Sequence, residues 1–257
     1  MKYGFIGCGN MGSAIAKAIE KQTDSIMVSD LSGKAKALGY AYGSAAEAAG
    51  QCQRLFLAVK PQVMGGVLEK LRPILQEKKP LLITMAAGLS MEKISQMAGG
   101  NLPVIRIMPN TPVAIGQGVT LYCRNELVSQ DTLEDFLADM SASGEMVALE
   151  ESLFDAGTSL SGCGPAFVYM FLQAMAEGAA AWGIEENTAL RLAAATVSGA
   201  AEMVKATGKH PAALRSAVCS PGGSTLAGVG VLEEKGLGNT VAAAIAASYR
   251  RNQELGK

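Results

Sequence analysis

The sequence predicts an α/β protein in two parts: a doubly wound, mostly parallel sheet over residues 1–150, followed by an all-helical part over residues 151–257. Three observations carry this. At the amino terminus a short apolar strand runs straight into a glycine-rich turn and an amphipathic helix. Short apolar runs then alternate with helical patterns, the arrangement that produces a mostly parallel sheet. Beyond Glu150 no further strand pattern occurs, and alanine, glycine and methionine dominate.

The first element is Lys2-Tyr3-Gly4-Phe5-Ile6-Gly7-Cys8-Gly9-Asn10-Met11-Gly12, a G-x-G-x-x-G turn between a strand and a helix. Met11, Ala14, Ile15, Ala18 and Ile19 share one helical face, with Lys17, Glu20 and Lys21 turned away. In a Rossmann-like turn of this kind Gly7 makes the sharp bend, Gly9 lets backbone approach a pyrophosphate, and Gly12 lets helix pack on strand. The anion sits at the helix amino terminus, among the N–H groups contributed by Asn10 and Met11, held by backbone and helix dipole. The competing reading is a glycine-rich turn without a ligand.

Ile26-Met27-Val28-Ser29 is the second strand and ends at Asp30, placed to accept hydrogen bonds from an adenosine ribose and so to favour NAD over NADP. Ser32, Gly33, Lys34 and Lys36 follow and could equally cradle a 2′-phosphate; alternatively Ser32 caps a helix that Gly39 ends, and the lysines are solvated. Tyr40-Ala41-Tyr42 is a short strand and Ser44 to Glu47 a capping box. Leu55 to Val59 is apolar on both faces, as a central strand should be, and stops at Lys60-Pro61. A helix through Val63, Val67, Leu68 and Leu71, a strand Leu81 to Thr84, a helix opened by Ser90 and a strand Val104 to Met108 follow. Ligands of open α/β sheets bind at the carboxyl ends of strands. Val59, Lys60, Pro61, Ala86 and Asn110 therefore join Gly7, Gly9, Asn10, Met11, Gly12 and Asp30 as candidate cofactor contacts. Asn110 lies in the stiff loop Pro109-Asn110-Thr111-Pro112. Val119 to Tyr122, a helix from Ser129 and Glu145 to Leu149 complete about eight strands.

In the second part, helices are expected from Pro165 to Trp182, from about Asn187 to Thr207, from Pro211 to Val218 and from Thr225 onward. Several are apolar nearly all round, which predicts burial within the domain or against a second subunit, and hence a homodimer. Between the last two lies Ser220-Pro221-Gly222-Gly223-Ser224-Thr225, a glycine turn before a helix. Its N–H groups and hydroxyls suit a substrate carboxylate, with Thr225 able to reach a neighbouring polar atom; the plain alternative is a capped helix start.

The 257 residues carry a net charge of −1 with no long run of like charges, which points away from nucleic acid and anionic membranes. No apolar stretch approaches the ~20 residues that span a bilayer, and the four glycines and Asn10 near the amino terminus argue against a leader. Cys8, Cys52, Cys123, Cys163 and Cys219 are scattered and odd in number, which suits a reducing cytoplasm and no zinc site. Cys8, inside the first turn, and Cys163 and Cys219, near the second glycine turn, read as small buried hydrophobes rather than nucleophiles. His210 reads as a surface or capping residue, with proton transfer the alternative; Lys60 touches phosphate or substrate, or leaves binding to the backbone; Arg106 reads as structural. No metal is expected.

The combination of GFIGCGNMG at residues 4–12, AVKP at 58–61, MPNTP at 108–112, SGCGPAF at 161–167 and SPGGST at 220–225 resembles the pyrroline-5-carboxylate reductase family, in register over essentially the whole chain. The resemblance implies a Rossmann domain followed by an all-α dimerisation domain of the 6-phosphogluconate dehydrogenase C-terminal kind. It implies reduction of 1-pyrroline-5-carboxylate to L-proline with NADPH or NADH, in the cytoplasm, by a homodimer or higher homo-oligomer. Ser220, Gly222, Gly223, Ser224 and Thr225 then match the carboxylate-binding loop, Thr225 the threonine facing the ring nitrogen, and Val59, Lys60 and Pro61 the loop beside the nicotinamide ribose. Cys163 and Ser224 depart from the usual SGSGPA and SPGGTT, and Asp30 stands where NADP-preferring members avoid an acid. The β-hydroxyacid dehydrogenases share the layout but carry a G-x-x-x-K-x-x-x-N motif absent after Gly164. Another imine reductase and a non-catalytic dinucleotide sensor are the remaining alternatives.

Overall fold

The computed structural model describes residues Met1–Leu255, apart from the side chains of Lys34 and Leu255. Two compact units form: residues Met1–Cys163 together with the chain from Ser248, and residues Gly164–Ala247.

The first unit holds strands β1 (Tyr3–Ile6), β2 (Ile26–Ser29), β3 (Ala41–Tyr42), β4 (Arg54–Leu57), β5 (Leu81–Thr84), β6 (Val104–Pro109), β7 (Gly118–Arg124) and β8 (Gly144–Ala148) in one sheet of order β3-β2-β1-β4-β5-β6-β7-β8. The first six are mutually parallel. A 3-10 turn over Thr111–Ile115, inside the stretch expected to be a plain loop, reverses the chain so that β7 runs antiparallel to β6 and β8 then pairs parallel to β7. Strand order reverses between β1 and β4, which opens a crevice at their carboxyl ends.

Helices cover both faces, which is why β1, β4 and β5 are buried at every position. On one face α1 (Asn10–Ile19) and α5 (Gln130–Asp139) pack over Phe5, Phe56 and Ile83. On the other, α2 (Ala45–Gln51), α3 (Pro61–Lys78) and α4 (Met91–Met97) pack over Leu55, Leu57 and Leu82. Starts follow local chemistry: Ser44 and Glu47 form the capping box, Ser90 and Ser129 cap α4 and α5, and Pro61 takes the first position of α3.

One expectation is corrected. The segment after β2 is a five-residue 3-10 turn, Lys34–Leu38, not an α-helix capped by Ser32. Gly33 and Gly39, both left-handed at φ 69° and 79°, bracket it and leave room for little more than one turn. The Ser32 hydroxyl donates to the Asp30 carboxylate instead. The side chain of Lys34 lies outside the described residues, and Lys36 places its ammonium 4.9 Å from the Tyr42 ring centroid.

After β8, α6 (Phe154–Gly157) leads into a π-helical turn, Thr158–Gly162. The second unit follows with α7 (Gly164–Ala180), α8 (Glu186–Thr207), α9 (Pro211–Ala217), α10 (Ser224–Glu234) and most of α11 (Leu237–Leu255). The α7 helix stops short of Trp182 because its last turn tightens, with the N–H groups of Trp182 and Gly183 donating to carbonyls three residues back. Among the described residues no helix is long and apolar enough to cross a membrane.

Candidate functional site

The turn after β1 is built from close approaches. Gly7 has φ 86°, and a Cβ there would lie 2.6 Å from the Ala58 carbonyl oxygen; one on Gly12 would lie 2.9 Å from the Gly7 carbonyl oxygen. Gly9 is different, because a Cβ there would meet nothing within 4 Å. It faces a cavity of about 580 Å³ lined by Gly7, Gly9, Asp30, Ala58, Val59 and Lys60 among others. No side chain caps α1, so the first-turn N–H groups of Asn10, Met11 and Gly12 stay available to an anion. Asn10 is exposed, while the Met11 side chain packs on the core. The space before Gly9, the uncapped helix start and the cavity fit a dinucleotide diphosphate.

Asp30 ends β2 with both carboxylate oxygens engaged. Oδ2 accepts the Cys8 N–H at 3.0 Å, and Oδ1 accepts the Ser32 N–H at 2.8 Å as well as its hydroxyl. The Tyr42 hydroxyl donates to the Asp30 carbonyl. Burial, then the Asp30 charge, pushes the Cys8 thiol up to about 11, so it stays protonated. Burial pushes Cys123 up to about 12, aided by the charge of Glu151. All five cysteines are free.

Beyond β4, Val59 packs against the core on the α3 side, Lys60 is exposed as the residue preceding α3, and Pro61 begins that helix. Ala86, past β5, is buried, and its N–H donates to the Thr84 hydroxyl at 3.3 Å. Asn110, past β6, is buried too: its Oδ1 accepts the Val119 N–H at 2.9 Å and its Nδ2 donates to the Ser161 carbonyl at 3.0 Å.

In the helical unit, residues 220–223 form a turn closed by Gly223 N–H to the Ser220 carbonyl at 3.0 Å. Pro221 second and Gly222, φ 72°, third is the residue pattern of a type II turn. Gly223 precedes α10 with no side-chain cap, and a Cβ on it would sit 2.5 Å from the Ser220 hydroxyl oxygen. Ser224 and Thr225 open α10 and are exposed. The structure thus presents a second uncapped helix start beside hydroxyls.

Other candidates take structural places. His210 caps α9, its Nδ1 accepting the Ala212 N–H at 3.2 Å. Arg106 donates to Glu151 at 3.0 Å and stacks 4.7 Å from the Phe154 ring centroid. Among the described residues no group of three or more His, Cys, Asp or Glu is placed to hold a metal. Ser159 and Asn252 stand in no motif of the sequence. Ser159 is fully buried, and Asn252 donates from α11 to its hydroxyl at 3.3 Å and to the Asp155 carbonyl at 3.2 Å. The run Thr158-Ser159-Leu160-Ser161 was the available signal, since its hydroxyls bond back to carbonyls four residues earlier.

A family model described as pyrroline-5-carboxylate reductase dimerisation matches residues 151–255, and one described as NADP oxidoreductase, coenzyme F420-dependent, matches residues 2–88. The chain is 36% identical to the pyrroline-5-carboxylate reductase of Escherichia coli, covering 100% of this chain and 98% of that protein. It is 44% identical to that of Synechocystis over 82% of this chain and 78% of the relative. Among solved structures, the Plasmodium falciparum pyrroline carboxylate reductase with NADP bound superposes at a TM-score of 0.92 with 31% identity, covering 100% and 98% of the two chains. The 1-pyrroline-5-carboxylate reductase of Streptococcus pyogenes superposes at 0.91 with 34% identity over 99% and 98%.

Proposed function

The chain belongs to the pyrroline-5-carboxylate reductase family, and from this premise we propose that it reduces 1-pyrroline-5-carboxylate to L-proline with NADPH or NADH, the last step of proline biosynthesis. Full-length likeness to reductases of that name carries the reading; the two uncapped glycine turns support it.

The dinucleotide is held by the Gly7 to Gly12 turn, with Asp30 bracing it and Val59, Lys60, Pro61 and Ala86 along the carboxyl ends of the strands. When bound, the reduced nicotinamide supplies a hydride. The remaining work is the chain's own. The N–H groups at Gly222 to Thr225 and the Ser220 hydroxyl bind the substrate carboxylate, as an uncapped helix start binds any anion. The Thr225 hydroxyl orients the ring nitrogen. A cyclic imine is basic enough to take a proton from water and is then a good hydride acceptor, so orientation is the main contribution asked of the protein. The cysteines, held protonated where buried, and His210, occupied in capping, have no part in it.

The active form is a homodimer through the helical unit. Within residues 164–247 only Ala176, Ala189 and Ala193 are buried, while Met170 is 71% and Trp182 90% exposed. An apolar groove of about 480 Å³ between α7, α8 and α11 includes Phe167, Phe171 and Val241. A helical unit with so little core of its own gains one by covering these faces with a second copy. Five free thiols suit a reducing compartment, and we place the enzyme in the cytoplasm.

The test is the initial rate of NADPH and, separately, NADH oxidation with 1-pyrroline-5-carboxylate, with proline identified as product. Consumption of either cofactor with proline formed is the expected result. Cofactor binding without turnover of this imine overturns the assignment.

A further inference from the structure

The segment Ser161-Gly162-Cys163-Gly164-Pro165 interrupts the α-helical hydrogen-bond ladder. In an α-helix the carbonyl of Ser161 would be paired by the N–H of residue 165, and proline has none. The chain answers locally with a π-helical turn, in which the Cys163 N–H reaches back five residues to the Thr158 carbonyl at 3.0 Å. Such insertions recur at functional sites. The Ser161 carbonyl is satisfied from elsewhere, by Nδ2 of Asn110 at 3.0 Å.

Asn110 stands at the carboxyl end of β6, between Pro109 and Thr111, and is 7% exposed. Its amide acts in both directions, since Oδ1 accepts the Val119 N–H of β7 at 2.9 Å while Nδ2 donates to Ser161. A side chain with one donor and one acceptor at fixed separation is needed there, and an amide supplies both without depending on a titrating proton. From the other side Asn252 of α11 donates to the Asp155 carbonyl and the Ser159 hydroxyl. The π-helical turn is thus clamped by two asparagines, immediately before the chain leaves the first unit at Cys163 and just after it returns at Ser248.

We propose that Asn110 is a positioning residue: its side-chain amide locks the π-helical turn onto the ends of β6 and β7 within the first unit. Turnover depends on this corner of the sheet, at the carboxyl end of β6 where ligands of open α/β sheets bind, staying rigid, while cofactor affinity does not depend on the Asn110 side chain. The effect on turnover rests on the reductase reading above; the clamp itself does not.

The experiment compares full-length wild type with Asn110→Ala and Asn110→Asp by three readouts. Amide exchange should rise at least tenfold in Asn110→Ala at Val119 and over residues 158–164, with β1 and β4 unchanged. NADPH Kd should stay within twofold, while kcat with 1-pyrroline-5-carboxylate falls at least tenfold. In Asn110→Asp the introduced carboxyl can donate to the Ser161 carbonyl only when protonated. Its kcat relative to wild type should therefore be greatest in acid and fall at least tenfold as pH rises through that group's titration. A tenfold weaker NADPH Kd with unchanged exchange makes Asn110 a cofactor contact and overturns the proposal. So does loosened exchange with unaltered kcat. A wild type that does not turn over pyrroline-5-carboxylate defeats the functional reading alone, and unchanged exchange then defeats the clamp separately.

Discussion

The carboxylate of Asp30 accepts the backbone N–H of Cys8 at 3.0 Å. The acid at the end of β2 therefore braces the glycine turn after β1, and its second oxygen is taken by Ser32. A charged hydrogen bond of this kind contributes about 1.5–3 kcal/mol. Asp30→Ala should weaken NADH and NADPH together, each by roughly tenfold or more, as measured by fluorescence titration. Weaker NADH binding with tighter NADPH binding would assign the carboxylate to the ribose instead.

Gly9 and Gly12 should separate binding from folding. A Cβ on Gly9 enters open space, whereas one on Gly12 meets the Gly7 carbonyl oxygen at 2.9 Å and the Ala58 Cβ at 3.3 Å. Gly9→Ala is expected to melt as wild type does but to bind NADPH at least tenfold more weakly. Gly12→Ala should cost about 1–3 kcal/mol of stability by overpacking. Calorimetry and titration on both variants check the contrast; equal melting temperatures would refute it.

Thr225 opens α10 with an exposed hydroxyl. Thr225→Ala should lower kcat by roughly 100- to 1,000-fold, the scale on which loss of one charge-stabilising hydrogen-bond donor registers. NADPH Kd should be unaffected. Steady-state kinetics and direct titration give the two numbers, and unchanged turnover removes Thr225 from the mechanism.

Asp139 joins the end of α5 to the first strand. It accepts the Tyr3 hydroxyl at 2.6 Å, Lys2 Nζ at 2.8 Å and Arg54 Nη1 at 2.7 Å. Burial works against its charge, but the hydrogen bonds from Lys2 and Tyr3 and the charges of Lys2 and Arg54 outweigh it and hold its carboxyl below the usual range. A depressed carboxyl stabilises the fold above the pKa of the unfolded chain, and that contribution is lost as pH falls through the folded value. Asp139→Asn removes the closer and more buried of the two carboxylates that pair the buried Arg54, leaving only the exposed Asp135 at 3.2 Å, and should cost about 3 kcal/mol at neutral pH. The deficit should shrink in acid, where wild type loses the same contribution. Denaturant unfolding at a series of pH values checks this, and a pH-independent deficit contradicts it.

Much of the architecture is legible because its causes are local. The strand, turn and helix at residues 3–19, the Ser44 and Glu47 capping box and the apolar runs from Leu55 and Leu81 each state their conformation within a few residues, although the first of those strands starts at Arg54 and ends at Leu57, two residues short of Val59. Ser32 shows the limit. Before a helix it reads as a cap, yet Asp30 competes for its hydroxyl and two left-handed glycines cut the segment to a 3-10 turn.

What the sequence alone determined was the alternation of elements and the glycine turns, since periodicity and steric demands are properties of neighbouring residues. Partner choice was decided only by tertiary structure. Asp30 bonds Cys8 across 22 positions, Asn110 bonds Ser161 across 51 and Tyr3 bonds Asp139 across 136. A carboxylate or amide carries the same hydrogen-bonding capacity wherever it stands, and which buried N–H or carbonyl it meets depends on the strand order that brings distant segments side by side.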